Sequence, residues 1–217
     1  MLDTSQPHVS AQEAGDPAFA GGFADQVHGA QRTFRSVMNA MAQPGTKQPV
    51  DIVGLQLDKP SQALAAVALT LCDPDTPVWL DDILSNGDFP RWLAFHTGAP
   101  ICDDPSKATF AFSSDLQSMP NFELLSQGSE AYPDRSTTLV VDVAQSWTSS
   151  DMWLAGPGID GTTELAVGAL PADFLRRMAA NHALFPRGID LIFAGDGEVL
   201  CLPRTTRISR KHVTEAA

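Results

Sequence analysis

Arginines near the C-terminus are the side chains of this sequence best suited to bind an anion. Arg204, Arg207 and Arg210 crowd one short segment, and Arg135 lies just ahead of a β-branched run. The planar guanidinium group matches the oxygens of a phosphate or phosphonate. We therefore predict Arg135, Arg204 and Arg207 as anion-binding candidates of a self-contained anion- or nucleotide-binding module. The alternative is that they pair with some of the 26 acidic residues, within one subunit or across an interface.

A glycine-rich stretch, Gly156-Pro157-Gly158-Ile159-Asp160-Gly161, has the spacing of a dinucleotide-binding fingerprint. That role requires free backbone N–H groups in the loop and a helix after it. Pro157 has no N–H, and the segment from Thr162 to Val167 has the character of a strand. We therefore expect a turn between two antiparallel strands at this position.

The other reactive side chains form no recognisable catalytic or metal-binding pattern. The five histidines lack zinc-ligand spacing, and no Gly-x-Ser-x-Gly motif is present. Of the four lysines, only Lys107 begins a predicted strand and is a candidate for a Schiff base. We expect the acidic doublets Asp81-Asp82 and Asp103-Asp104 in solvated loops. The sequence therefore predicts no catalytic residue, no metal and no cofactor, pyridoxal phosphate included.

The three cysteines, Cys72, Cys102 and Cys201, are widely separated and form no Cys-x-x-Cys pair. Cys72 and Cys201 fall in apolar segments, which predicts buried structural thiols. An odd number of cysteines without a motif is typical of a reducing compartment. Because we find neither a cationic leader nor an apolar signal segment, we expect a cytoplasmic protein.

Composition indicates a globular chain with a strong negative charge. The 217 residues are 43% hydrophobic and carry a formal net charge of −12. Such a charge repels nucleic acid and anionic membranes, so we expect neither as a partner. The longest apolar run, from Ala63 to Cys72, is too short to span a membrane.

Periodicity predicts a flexible N-terminal arm over residues 1–22 and a single α/β domain over residues 23–217. A long amphipathic helix between Asp25 and Pro44 has an apolar stripe opposite a polar face; the stripe is formed by Val27, Ala30, Phe34, Val37, Met38 and Met41. Further helices are predicted at 61–72, 89–96 and 171–183, and strands at 77–80, 107–112, 137–143, 152–155, 164–167, 189–193 and 198–202. Alternating strands and helices with at least two hairpins predict a mixed β-sheet flanked by helices, an α/β/α sandwich.

Large side chains suggest where the protein meets a partner. We expect the helix segment from Gln31 to Met41 and one or more of Trp79, Trp92 and Trp153 to supply apolar contact surface, since aromatic residues are typical interface anchors.

Several short blocks, taken together, resemble the PhnH family. Among them are Tyr132-Pro133-Asp134-Arg135-Ser136 and Phe185-Pro186-Arg187-Gly188-Ile189-Asp190. The blocks occur in family order over about residues 25–208, and the remaining ones are Gln31 to Arg35, Met38 to Gly45, Leu69 to Leu80, Phe95 to Pro100, Gly156 to Ile159 and Leu202 to Arg207.

The resemblance implies an accessory subunit of the bacterial carbon–phosphorus lyase system of phosphonate catabolism. It implies support for the formation of ribose 1-methylphosphonate 5-triphosphate from ATP and methylphosphonate, with loss of adenine. It also implies a homodimer that assembles with PhnG, PhnI and PhnJ. The implied fold is similar to the large domain of pyridoxal-phosphate-dependent transferases without that cofactor. No catalytic residue is carried over, so we expect no activity from the isolated chain; the anion-binding module and a stand-alone enzyme of another class remain as alternatives.

Overall fold

A six-stranded mixed sheet forms the centre of the molecule in the computed structural model, which describes residues 16–144 and 146–210. Its strands are β1 (Gln48–Pro49), β2 (Val78–Leu80), β3 (Phe110–Ser113), β4 (Thr138–Asp142), β7 (Asp190–Gly195) and β8 (Glu198–Leu202). The order is β1-β8-β7-β4-β3-β2; strands β2, β3, β4 and β7 run parallel, and β8 and β1 are antiparallel to their neighbours. The predicted mixed α/β sheet is confirmed.

Alternate residues of the central strands point to opposite faces of the sheet and belong to two apolar cores, as the two-residue period of a strand requires. Val140 and Ile192 belong to one core and Leu139 and Leu191 to the other. The first core is covered by helices α1 (Gln26–Ala42), α2 (Gln62–Leu71), α3 (Asp82–Ser85) and α4 (Phe89–Thr97).

The second core is covered by helix α5 (Phe174–Ala183) and by a small second sheet. That sheet has the order β6-β5-β9 and consists of β5 (Met152–Ala155), β6 (Thr163–Glu164) and β9 (Arg207–Arg210). The flanking layer on this side therefore combines a helix with a three-stranded sheet, an arrangement that the periodicity did not predict. The glycine-rich stretch connects antiparallel β5 and β6, which confirms its interpretation as a turn.

Helix α1 presents part of its apolar stripe to the core and part to the outside. Its buried residues are Gly29, Thr33, Val37 and Ala40. Three large residues of the stripe, Val27, Phe34 and Met38, are exposed, which agrees with the expectation of apolar contact surface on this helix. The inward face is small because the helix packs closely: a Cβ at Gly29 would lie 2.7 Å from the Phe23 ring.

The segment 16–22 packs across α4. The Trp92 indole N–H donates a hydrogen bond of 2.8 Å to the Ala20 carbonyl oxygen, and the Phe19 and Phe95 rings meet edge to face at 4.9 Å. Residues 1–15 of the predicted arm lie outside the described residues, as do 211–217 at the other end of the predicted domain.

Among the three tryptophans predicted to supply contact surface, Trp92 is fully buried. That prediction is wrong for Trp92, because segment 16–22 and the first core enclose its ring. Trp79 and Trp153 are half-buried.

Candidate functional site

The carboxyl ends of the parallel strands β2, β3 and β4 lie side by side at one edge of the main sheet. Open α/β sheets most often bind their ligands at this edge. Asp81 directly follows β2, Ser114 follows β3, and β4 ends at Asp142. Two carboxylates therefore lie where an α/β protein would be expected to bind a ligand.

The Asp81 carboxylate is buried and fully engaged within the protein. One oxygen accepts the Leu84 N–H at 2.9 Å, which caps α3. The other accepts the N–H and the hydroxyl of Ser114 at 2.6 and 2.7 Å. The expectation that Asp81 is a solvated loop acid is wrong, because this side chain joins the ends of β2 and β3.

The Asp142 carboxylate occupies the N-terminus of α2. One oxygen accepts the N–H of Ser61, the N-cap of that helix, at 2.6 Å, and the other accepts the Ala144 N–H at 3.1 Å. Lys59 lies nearby, exposed, with its ammonium group donating to the Ser114 carbonyl oxygen at 3.2 Å.

This edge does not fit a phosphate-bearing ligand. A helix N-terminus normally attracts an anion, but at α2 a carboxylate of the protein already takes that place. A neighbouring cavity of about 220 Å³ is lined by Asp81 and Asp82, which repel a phosphate. Lys59 is exposed rather than desolvated, so it does not have the setting of a Schiff-base lysine.

Arg204 lies inside the protein, and all three guanidinium nitrogens donate to protein acceptors. The Asp190 carboxylate receives hydrogen bonds from Nε and Nη2. Nη1 donates to the carbonyl oxygens of Pro133 and Pro186, and Nη2 also donates to the Ser136 hydroxyl. Arg204 therefore forms an internal ion pair, which is the alternative to an anion site. This ion pair holds the turn before β4 against the start of β7.

Arg135 lies close to that turn but faces outwards. Its guanidinium group stacks on the Tyr132 ring at 4.2 Å. A polar cavity of about 290 Å³ beside it contains Lys107, three serines and a threonine, together with Asp134. Lys107 precedes β3 in a 3₁₀ turn and pairs with Asp104 at 3.3 Å.

The structure does not bring the three candidate arginines into one site. Arg207 begins β9 in the second sheet and is exposed, opposite Ala155 of β5. Arg210, at the other end of β9, lies 3.7 Å from Asp151. Among the candidates, Arg135 shares a cavity with a second cation, Lys107.

Cys72 and Cys201 are buried, as predicted. Burial raises the pKa of the Cys72 thiol to about 12 and raises the pKa of Cys201 as well. Both thiols therefore stay protonated and unreactive near neutral pH. Cys102 is half-exposed, and partial burial raises the pKa of this thiol above its ordinary value.

Across residues 16–144 and 146–210, no three histidine, cysteine or acidic side chains are grouped so that they could hold a metal ion. Within the same ranges, no helix has both the length and the apolar character needed to cross a bilayer.

A shallow groove lies between the outer face of α1 and the end of α2. We call it the α1 groove; its lining residues are Ala30, Gln31, Phe34, Arg35, Met38 and Thr70, and its volume is about 500 Å³. Phe34 and Met38 are 50% and 53% exposed. Its chemistry is that of a docking surface rather than of a catalytic site, since it combines apolar side chains with one cation.

Residues 21–209, which include the whole main sheet, match the bacterial phosphonate metabolism proteins known as PhnH. The chain belongs to the PhnH family. It is 45% identical over 193 residues to the alpha-D-ribose 1-methylphosphonate 5-triphosphate synthase subunit PhnH of Rhizobium meliloti strain 1021, a match that covers 89% of this chain and 96% of that relative. It is 28% identical over 182 residues to HtxG of Stutzerimonas stutzeri, a proposed C-P lyase subunit, with 83% and 86% covered.

Membership of the PhnH family confirms the resemblance found in the sequence blocks. Sequence reasoning missed the buried roles of Asp81 and Asp142, which required knowledge of the strand order. A local signal was present for Asp81, since an aspartate three residues before Leu84 has the spacing of a helix N-cap.

Proposed function

We propose that this chain is an accessory subunit of the carbon–phosphorus lyase system in phosphonate catabolism. It supports the formation of ribose 1-methylphosphonate 5-triphosphate from ATP and methylphosphonate by a multi-subunit synthase. The observation that carries the proposal is the 45% identity, over nearly the full length of both chains, to a PhnH subunit of that synthase.

The chemistry of the described residues supports an accessory role. The carboxyl edge of the sheet is closed by Asp81 and Asp142, which are occupied in capping helices. The Arg204 guanidinium group is held by Asp190. The chain contributes by assembly, and the isolated protein has no activity of its own.

For the assembly, we propose a homodimer that joins PhnG, PhnI and PhnJ in the cytoplasm. The relatives support the coarser part of this proposal, because one is a synthase subunit and the other a proposed C-P lyase subunit. The net charge of −12 supports protein partners over nucleic acid or anionic membranes.

Co-expression with PhnG, PhnI and PhnJ tests the proposal. We expect the chain to copurify in a complex of defined mass, and the complex but not the isolated chain to convert ATP and methylphosphonate. Turnover by the purified chain alone would reject the accessory role. Failure of the chain to copurify with any of the three subunits would reject membership of the complex.

A second function, binding of an anion by the chain itself, is favoured by the cavity that contains Arg135 and Lys107. Calorimetry of the isolated chain with ATP and with methylphosphonate tests it. If the cavity binds either compound, Arg135→Ala abolishes the heat signal while Arg207→Ala, at an exposed arginine of β9, leaves it intact. Absence of binding to the unmodified chain rejects this second function.

A further inference from the structure

The outer face of α1 exposes more apolar surface than a solvated helix needs. Val27, Phe34 and Met38 lie on one face of the helix at spacings of seven and four residues, and all are at least half exposed. Single exposed apolar side chains are ordinary, but a contiguous group beside a groove indicates a contact surface. The inward face of α1 is made of small residues, so these large side chains are not required by the fold of the subunit itself.

The α1 groove carries one charged side chain, Arg35, among its lining residues. Arg35 is exposed and forms no ion pair with any described residue. The other arginine of α1, Arg32, pairs with Asp51. In a chain with 26 acidic and 14 basic residues, an unpaired arginine at an apolar groove favours a carboxylate from outside the subunit.

Association of two copies through this groove would not provide a carboxylate for Arg35. In a two-fold contact centred on the groove, the same surface lies on both sides. Each Arg35 would then face a surface whose one charged lining residue is again Arg35. Charge complementarity therefore favours a different polypeptide over a second copy.

We propose that the α1 groove binds another subunit of the complex, through an apolar ridge of that subunit with a carboxylate that pairs with Arg35. Phe34 and Met38 supply the apolar contact, and Arg35 fixes the register by a charge-assisted hydrogen bond. This inference rests on the proposed function, because the partner is taken from the same complex.

Three variants of the α1 groove test the proposal in chains co-expressed with PhnG, PhnI and PhnJ. The double variant Phe34→Ser with Met38→Ser removes the apolar contact, Arg35→Glu reverses the charge, and Arg35→Lys keeps it. We expect the first two to weaken assembly about tenfold or more and Arg35→Lys to retain most of it. Phe185→Ser is the matched control, because this phenylalanine is 60% exposed and lies outside the groove. Native mass measurement reports assembly, and thermal unfolding of each isolated variant establishes that it is folded.

The outcomes separate the two proposals. Normal assembly of the folded groove variants overturns this inference and leaves the proposed function standing. Loss of self-association of the isolated variants, with partner binding intact, also overturns it, because the groove would then lie between two copies. Normal assembly of the groove variants, together with a lowered unfolding temperature that removal of residues 1–15 reproduces, would mean that this terminus rather than a partner occupies the groove, and would overturn the inference too. If the unmodified chain joins no partner, the proposed function falls and this inference falls with it.

Discussion

Arg204 shows how far the role of a residue depends on its surroundings. Its sequence position, in an arginine-rich segment, predicted an anion site. In the structure its side chain is 14% exposed and its partner Asp190 is 22% exposed. The guanidinium group that would have bound a ligand instead binds a carboxylate, a hydroxyl and two carbonyl oxygens of its own chain.

Replacing Arg204 is therefore expected to destabilise the fold. Arg204→Ala removes the side-chain donors of two carbonyl oxygens and of the largely buried Asp190 carboxylate, which keeps the backbone N–H of residue 204 as a donor. It should lower the free energy of unfolding by about 3 kcal/mol. Arg207→Ala, at an exposed position, should change it by less than about 0.5 kcal/mol. Urea denaturation of both variants measures the difference; equal stability of the two would contradict the role assigned to Arg204.

His96 predicts a pH dependence. Its ring lies against Trp92 with a centroid distance of 4.7 Å, and burial lowers the pKa of His96 below its ordinary value of 6.5. The unfolded chain therefore binds a proton at a higher pH than the folded chain does. Stability should consequently decrease as the pH falls through about 6.5, until the folded-state pKa is passed.

Urea denaturation at several values between about pH 5 and 7 tests this sign. His96→Gln should flatten the pH dependence in that range, whereas His28→Gln, which removes an exposed histidine, serves as the control. If the free energy of unfolding of His96→Gln depends on pH as strongly as that of the unmodified chain, other groups produce the pH dependence.

At the level of the elements, the glycine-rich turn after β5 serves the fold. Gly158 has φ of +82°, and a Cβ added there would overlap the Ala42 carbonyl oxygen at the end of α1. The turn thus holds the second sheet against the first helix, and a glycine at position 158 permits the close approach.

Gly158→Ala should lower the free energy of unfolding by about 3 kcal/mol or more, because a steric clash with backbone adds to the cost of a left-handed residue. Gly161→Ala is the matched control: its φ is +70°, but no atom lies within 4 Å of the added Cβ. Gly161→Ala should lower the free energy of unfolding by about 1–2 kcal/mol, which is the cost of a left-handed backbone conformation without a steric clash. Thermal or urea unfolding distinguishes the two, and equal losses would show that the contact with α1 is unimportant.

Helices and hairpins were predictable from the sequence where turn residues, capping residues and apolar runs within one short segment determine them. The hairpin of β7 and β8 was predicted from Gly195-Asp196-Gly197, and its two turn residues have φ of +49° and +76°, as a tight primed turn requires. Helix α2 was predicted at 61–72 and runs from Gln62 to Leu71, because its apolar residues are buried nearly all round and Ser61 caps it.

What the sequence did not predict depends on contacts between distant segments. Periodicity predicted the apolar stripe of α1 but not which of its residues are buried, because half of the stripe faces a groove rather than the core. The second sheet was missed because β9 pairs with β5 across more than fifty residues of chain. The closed carboxyl edge could not be predicted because it depends on the order of β2, β3 and β4.

For the molecule as a whole, charge governs association. The formal net charge of −12 makes two copies repel each other, and this repulsion is screened over about 10 Å at 0.1 M salt. If the chain forms a homodimer, raising the salt concentration should tighten it. Binding of a partner through Arg35 should weaken as the salt concentration rises, because salt screens the attraction between Arg35 and the carboxylate of the partner.

Sedimentation of the isolated chain and of the co-expressed complex over a salt series measures both effects. Arg35→Glu, tested beside it, should reverse the salt dependence of the remaining partner binding, because salt then screens a repulsion between two carboxylates, and should leave the salt dependence of the homodimer unchanged. A homodimer that dissociates as salt is added would mean that specific ion pairs, rather than net charge, dominate its interface.

The unequal burial of the three thiols gives the protein a natural attachment point for a reporter group. Cys72 and Cys201 are enclosed, so a maleimide dye would reach Cys102 first. Because the pKa of Cys102 is also raised, coupling should proceed faster under mildly alkaline conditions than at neutral pH. A single fluorophore could thus be placed without engineering the sequence, and energy transfer from it to an acceptor on another subunit would report the distance between the two positions in an assembled complex.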